Sequence, residues 1–342
     1  VPIGRAALTA QLLDSREAIV ALGAAWNALS HRGARSISAT AVWYEAWIDT
    51  FGRTVAPRVI AVTDATAVLR GILPLAVLSR QVGGLRVRVL EMGGEAVACG
   101  DHLGLVAAAP TTGTVAPRLT LNGSAAAFEQ SLSANRRQQL RRRERALGEA
   151  HPGHAFLCND ERVPMETALD DLERLHQALW NSRNVAGAFS DPLFGTFVRH
   201  FARAAHACGW LRLHQLVIDG ETVAALLANH WEGVGSYYTS GWNSAFAEWH
   251  VGELLLAHVI RTAADEGLSS FDLGRCADAY KSQFAAEPVP LLTALWSTSA
   301  RGHLAVGANR IALRTTRERN RWRTRFSRLI DTRRRPSGVT SE

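Results

Sequence analysis

Apolar residues change their spacing several times along the chain, and each change marks an element. Ala18, Leu22, Ala25, Trp26 and Leu29 share one helical face, and Val42, Trp43, Ala46, Trp47 and Phe51 share another. Two helices are therefore predicted in the first fifty residues. The pattern then turns strand-like: RVIAV, a turn around Thr63-Asp64-Ala65-Thr66, VLRGILPLAVL, Gly83-Gly84, and VRVLEM ending at Gly93-Gly94. LGLVA at 103–107 reads as a further short strand, and the Thr-, Pro- and Gly-rich stretch 110–118 reads as a loop. Helical spacing returns over 133–147, 165–182 and 192–208, the last behind Ser190-Asp191-Pro192, a cap and first-turn signal.

The hairpin pattern then reappears. LRLHQLVI, Asp219-Gly220, TVAALLANHW, Glu232-Gly233 and SYYTSG predict a three-stranded antiparallel meander. It shares its design with VIAVTDATAVLRGILPLAV, so the chain reads as a duplication: two similar α/β halves side by side. The meander leads through Gly241-Trp242-Asn243 to a helix starting near Val251-Gly252 and closing at Gly267. The strand SSFDL follows, and strand, crossover helix and strand predict two parallel strands. A glycine at the start of such a helix lets a ligand approach the backbone, where free N–H groups and the positive end of the dipole favour phosphate.

Composition narrows the class. With 342 residues, 47% hydrophobic content and ten Trp, the chain can fill one large or two medium cores. Four well-separated cysteines (Cys99, Cys158, Cys208, Cys276) match no zinc or redox spacing, and no apolar run reaches membrane-span length. A soluble cytoplasmic protein without a metal is the expectation. The net charge of +7 is uneven: from Arg301 onward twelve Arg face three acidic residues, a balance of +9 that leaves the first 300 residues at −2. Basicity thus belongs to the tail and to the cluster Arg136 to Arg145. That weakens a nucleic-acid reading without removing it. The cluster is usually a solvated helix face, though it can also neutralise phosphates. The tail, a basic helix over 309–335, can dock on the body, on an anionic membrane surface or on RNA.

All but one of the 38 basic residues are Arg; the exception is Lys281, next to Tyr280. An ammonium is a compact donor that can lose its proton when buried, which a guanidinium cannot. The alternative is a solvated leftover. Asp272, in the apolar run Phe271-Asp272-Leu273-Gly274, can act as a base or cap its loop.

The stretches SATAVWYEAWIDTFG, GILPLAV, SANRRQQLRRRERAL and DGETVAALLANHW through CADAYKSQF, in that order, resemble the CelD/BcsL-type GNAT acetyltransferases (BioF2-like), relatives of the FemAB transferases. The resemblance spans residues 15 to 290 and implies tandem GNAT-like domains with mixed, mostly antiparallel sheets flanked by helices. The expected boundaries are a degenerate N-terminal domain at 1–130, an acyl-CoA-binding domain at 131–298 and a basic tail at 299–342. The family loop Gln/Arg-x-x-Gly-x-Gly/Ala fits here only at Gly252, with Ala247 and His250 at its other two places.

By the resemblance, acetyl-CoA or another acyl-CoA is the co-substrate, held by His250, Val251, Gly252 and Tyr238. Catalysis is expected from Asp272, Tyr280 and Lys281, and the acceptor from contacts with Asp101, His102, Trp180 and Trp242. The implied activity is direct N- or O-acyl transfer to a sugar, amino sugar or other small acceptor, as in exopolysaccharide metabolism. Each residue keeps a plainer reading. His176, Trp180 and Arg183 share a helix face that either lines a pocket or packs as core. Tyr237, Tyr238 and Trp242 either stack on a ligand or fill an interface, and Asp101-His102 is either a contact or simply a loop. Two other functions fit: a FemAB-like transferase using aminoacyl-tRNA, and a scaffold that kept the fold and lost catalysis.

Overall fold

The computed structural model describes residues 8–33, 36–82, 84–93, 112–159, 163–275, 281–284, 286–293 and 297–308. The expected strand at 103–107 and tail helix at 309–335 lie outside the described residues, as do Asp101, His102 and Tyr280.

The chain opens with β1 (Leu8–Leu13), α1 (Arg16–Ala21) and α2 (Gly23–Gly33), then a 3-10 turn at Ile37–Ala39 and α3 (Ala41–Phe51). The first predicted helix is thus two, parted at Leu22, whose N–H bonds back to Ile19 and Val20 carbonyls. Thr40 caps α3 by accepting from the Trp43 N–H. Next come β2 (Ala56–Asp64), β3 (Leu69–Val82) and β4 (Leu85–Met92), giving a four-stranded sheet of order β1-β2-β3-β4. The β2–β3 turn is built by Asp64, whose Oδ1 accepts from the N–H groups of Thr66 and Val68.

The second sheet begins earlier than the sequence pattern shows. Most of the stretch expected as a loop instead forms β5 (Thr112–Thr120). Pro117 is tolerated there because its carbonyl accepts from Leu273 N, just past the end of the neighbouring ladder, so its missing N–H interrupts no pairing. Then follow α4 (Ala125–Ser131), α5 (Ala134–Ala150), β6 (Ala155–Cys158), α6 (Met165–Asn181), α7 (Pro192–Ala207), β7 (Leu211–Ile218), β8 (Glu221–Trp231) and β9 (Val234–Trp242). The described chain ends with α8 (Val251–Asp265), β10 (Ser270–Asp272) and β11 (Glu287–Thr293), and a helix over 300–308. The seven strands order as β11-β5-β10-β9-β8-β7-β6, with β9 and β10 parallel. β5, N-terminal to the boundary expected at 130, is therefore hydrogen-bonded between β10 and β11.

β8 is buried on both faces, which explains its unbroken apolar run. One face packs on α4, α5 and α8 through Leu140, Leu147, Leu255 and Val259. The other meets α6, while α7 lies on β7 and packs in turn on α3, where Trp43, Phe197 and Phe201 stack edge-on or in parallel at 4.8–6.1 Å. Each such fully buried side chain contributes about 1.5–3 kcal/mol.

The chain divides into two compact units. One comprises Val1–Ala76 and Glu91–Thr293; the other comprises Val77–Leu90 and Ala294–Glu342. In the second, β4 alternates half-buried and exposed residues, and Ala305 of the 300–308 helix is buried. Among the described residues no helix is long and apolar enough to cross a membrane.

Candidate active site between the parted strands

Two parallel strands pair here over only three residues: Val234 to Ser236 on β9 against Ser270 to Asp272 on β10. Beyond that point β9 runs on to Trp242 while β10 has ended. A bulge adds to the parting. On β8, Ala228 pairs with Tyr237 and Leu227 with Thr239, so Tyr238 is the extra residue.

The bulge also resets which side chains face which way. Tyr237 and Trp242 pack toward α8, and the Tyr237 hydroxyl bonds the Ser240 hydroxyl at 2.7 Å. Tyr238 instead joins Trp43, Phe194 and Phe201 on the α3–α7 side. Thr239 approaches His176, and a Cβ on Gly241 would sit 2.1 Å from the His176 backbone nitrogen. Tyr238, expected among the cofactor contacts, therefore faces the aromatic layer, opposite Tyr237 by ordinary alternation; the bulge acts one step later, putting Thr239 on the side of Tyr238 and Ser240 back on that of Tyr237.

Lys281 is 3% exposed, so the solvated reading fails. Its Nζ donates to the Arg275 carbonyl at 2.8 Å and lies 5.6 Å from the Tyr237 ring centroid. Lys281 over the Tyr237 ring, and Ser240 at the Tyr237 hydroxyl, make a short row along β9. Gly274 crosses beside it at φ +72°, its Cβ direction 3.3 Å from the Tyr237 carbonyl, so backbone packs against backbone there. Asp272 Oδ2 accepts from Arg118 Nη2 and Oδ1 from Gly274 N, both at 2.8 Å. The base role expected for Asp272 conflicts with those bonds. Its carboxylate ties β5 to β10 and fixes the turn at Gly274.

At the start of α8, His250 is in the left-handed region (φ 52°) and makes no side-chain cap, and of the first-turn N–H groups that of Glu253 turns back to the His250 carbonyl. Gly252 is needed for a different reason than the sequence implied. A Cβ there would lie 2.7 Å from Trp242, whose indole takes the approach expected for a ligand. Trp242 is thereby a support of the helix start, while remaining half-buried at the site. Burial first, then Arg143, push the His250 imidazole below its ordinary pKa.

Arg136 is likewise unlike the solvated face expected of its cluster. It is 5% exposed, and both it (2.7 Å) and Arg143 pair with Glu253 in the first turn of α8. Arg137 donates to the carbonyls at the end of α4, whereas Arg141, Arg142 and Arg145 do face solvent.

Residues 134–282, from α5 through Lys281, match the family described as Acetyltransferase (GNAT) domain. The second sheet is GNAT-like. Its parted strands are β9 and β10, and α8 is the helix between them. The chain as a whole is a tandem of GNAT-like sheets. It is similar to the crystal structure of FemX, at 9% identity over 78% of this chain and 93% of that one, with a TM-score of 0.54. It is also similar to L-PGS from Bacillus licheniformis (10% identity, 85% and 96% covered, TM-score 0.46). A third similar structure is a tandem GNAT protein from the clavulanic acid biosynthesis pathway (12%, 84% and 97%, TM-score 0.41). No match was found among curated proteins.

Of the expected residues, Lys281 lies beside Tyr237, Trp242 packs toward α8, and His250, Val251 and Gly252 form the start of that helix, with Ser240 brought to the side of Tyr237 by the bulge. Trp180 lies on α6 beside His176 (5.9 Å), with Arg183 over its ring at 5.6 Å. His176 is held by the Ser240 carbonyl at Nδ1 and by Ala188 N at Nε2, which occupies both ring nitrogens structurally.

Proposed function

We propose that this protein is an acyl-CoA-dependent acyltransferase, most readily of acetyl groups, whose thioester lies between β9 and β10. The observation that carries the reading is the parting of the two parallel strands at Ser236 and Asp272, with the bulge at Tyr238 just beyond it. Acyl-CoA would supply the activated carbonyl. The chain would hold it at three places: the first turn of α8 beside the diphosphate, Trp242 and Tyr237 along the pantetheine arm, and the main chain of β9 past Ser236 at the carbonyl oxygen. An amine or hydroxyl of a sugar or amino-sugar acceptor attacks the carbonyl carbon, and the carbon–sulfur bond breaks. The acceptor's proton goes to solvent or a nearby base, and the thiolate takes one from Tyr280 or water. The burial of Lys281 beside Tyr237 supports a positioning role, in which its charge holds the Tyr237–Ser240 row.

The solvent-facing Arg141, Arg142 and Arg145 of α5 favour a second reading, transfer from aminoacyl-tRNA, because exposed guanidinium groups on one helix suit a phosphate backbone. Titration calorimetry separates the two. Micromolar binding of acetyl-CoA with no heat from tRNA is the expected result; binding of tRNA alone would overturn the first reading in favour of the second.

A further inference from the structure

Burying an arginine with three of its five N–H donors unmet is costly, and such a group calls for an explanation. Arg136 is the one arginine among the described residues with two buried, unpartnered guanidinium nitrogens, Nε and Nη2. Its Nη1 is used: it reaches Glu253 Oε1 at 2.7 Å and Gln139 Oε1 at 2.8 Å. The Phe284 ring covers the guanidinium at 4.8 Å. The unmet pair is therefore the side-on edge, the two parallel N–H groups that match two oxygens of a carboxylate or phosphate.

The surroundings are charged in the matching sense. Arg136 and Arg143 together carry two positive charges against the single carboxylate of Glu253, which leaves one positive charge at the uncapped start of α8. The dipole of this 15-residue helix adds to it. The depressed His250 imidazole reports the same field, since Arg143, Arg136 and Arg142 all act on it after burial.

We propose that Arg136 is the diphosphate-binding residue of this site, its Nε–Nη2 edge taking two phosphate oxygens beside the first turn of α8. The inference rests on the acyl-CoA reading and deepens it. The earlier glycine that a GNAT loop uses at this place is His250 here, and a guanidinium from α5, outside the loop, supplies donors instead. The edge is out of solvent contact, so phosphate binding requires the local packing around Arg136 to open, and Glu253 keeps the guanidinium aimed while it does so.

Calorimetry with acetyl-CoA and with S-acetylpantetheine, which lacks the phosphates, tests this. Arg136→Lys keeps a charge for Glu253 but removes the fork, so acetyl-CoA should bind at least tenfold more weakly while S-acetylpantetheine binds unchanged. Arg141→Gln, removing an exposed charge on the same helix, should stay within twofold of wild type for both. Should the lysine variant unfold, Arg136→Met, of similar length and with no charge to bury, carries the same expectation. Wild-type affinity for acetyl-CoA in the Arg136 variants, or equal loss of both ligands, overturns the assignment of Arg136 alone. Wild-type protein that binds no acetyl-CoA overturns the acyl-CoA reading itself, and the inference with it.

Discussion

At the scale of single residues, the site is held by contacts that leave no slack. Lys281 donates to a backbone carbonyl, has an aromatic face beneath it and meets almost no solvent. Lys281→Arg keeps the charge but forces a larger, planar fork into that space, and overpacking of this kind costs about 1–3 kcal/mol. We expect a lower denaturation midpoint together with reduced turnover; wild-type values for both would return Lys281 to an incidental place. Gly252→Ala pushes a methyl into Trp242. It should destabilise by about 1–3 kcal/mol, and Trp242→Phe should recover part of that loss. Additive losses in a double-mutant cycle would show that the two residues do not meet.

Among elements, those with strong periodic signals are legible in the amino-acid order alone. α6, α7 and α8 start and stop within a residue or two of the sequence pattern, because Leu and Phe repeat at helical spacing and Asp191-Pro192 or Gly267 punctuate their ends. β7, β8 and β9 are equally plain from their Gly turns. β5 is not, because Thr, Gly and Pro117 read locally as loop and its strand partners lie far along the chain. The bulge is also hidden: plain alternation puts Ser240 opposite Tyr237, whereas the extra residue returns it to the side of Tyr237, where the two hydroxyls bond. Arg136 hides among its neighbours, since a run of Arg does not say which one is buried. α5 itself depends on Ser133, whose hydroxyl accepts from the Arg136 N–H. Ser133→Ala should cost about 1 kcal/mol and loosen the turn that carries Arg136. A fall in chemical-denaturation stability checks the first part, and unchanged stability would argue against the cap.

For the molecule as a whole, the buried imidazoles set the response to acid. Burial lowers the pKa of His176, His214, His230 and His258, and takes His214 down to about 3 from an ordinary 6.5. The unfolded chain therefore binds more protons once the pH falls below 6.5, and stability drops from there toward pH 3. Denaturant midpoints should be clearly lower at pH 5 than at pH 7.5. His214→Leu, which replaces a ring with an unpartnered buried Nδ1, should narrow that difference. Equal midpoints at the two pH values in the wild type would contradict the arrangement.

The place of β5 has a consequence for how the chain is made. Arg118 and Asp272, which join β5 to β10, are 154 positions apart. At about 5–20 residues per second, a ribosome needs roughly 8–30 s to travel between them. Both strands that flank β5 are synthesised after it, so for that time it has neither neighbour of its final sheet. The parting of β9 and β10 is thus among the last features to form during synthesis, and the acyl-CoA proposed to lie there would find no site on a nascent chain until then.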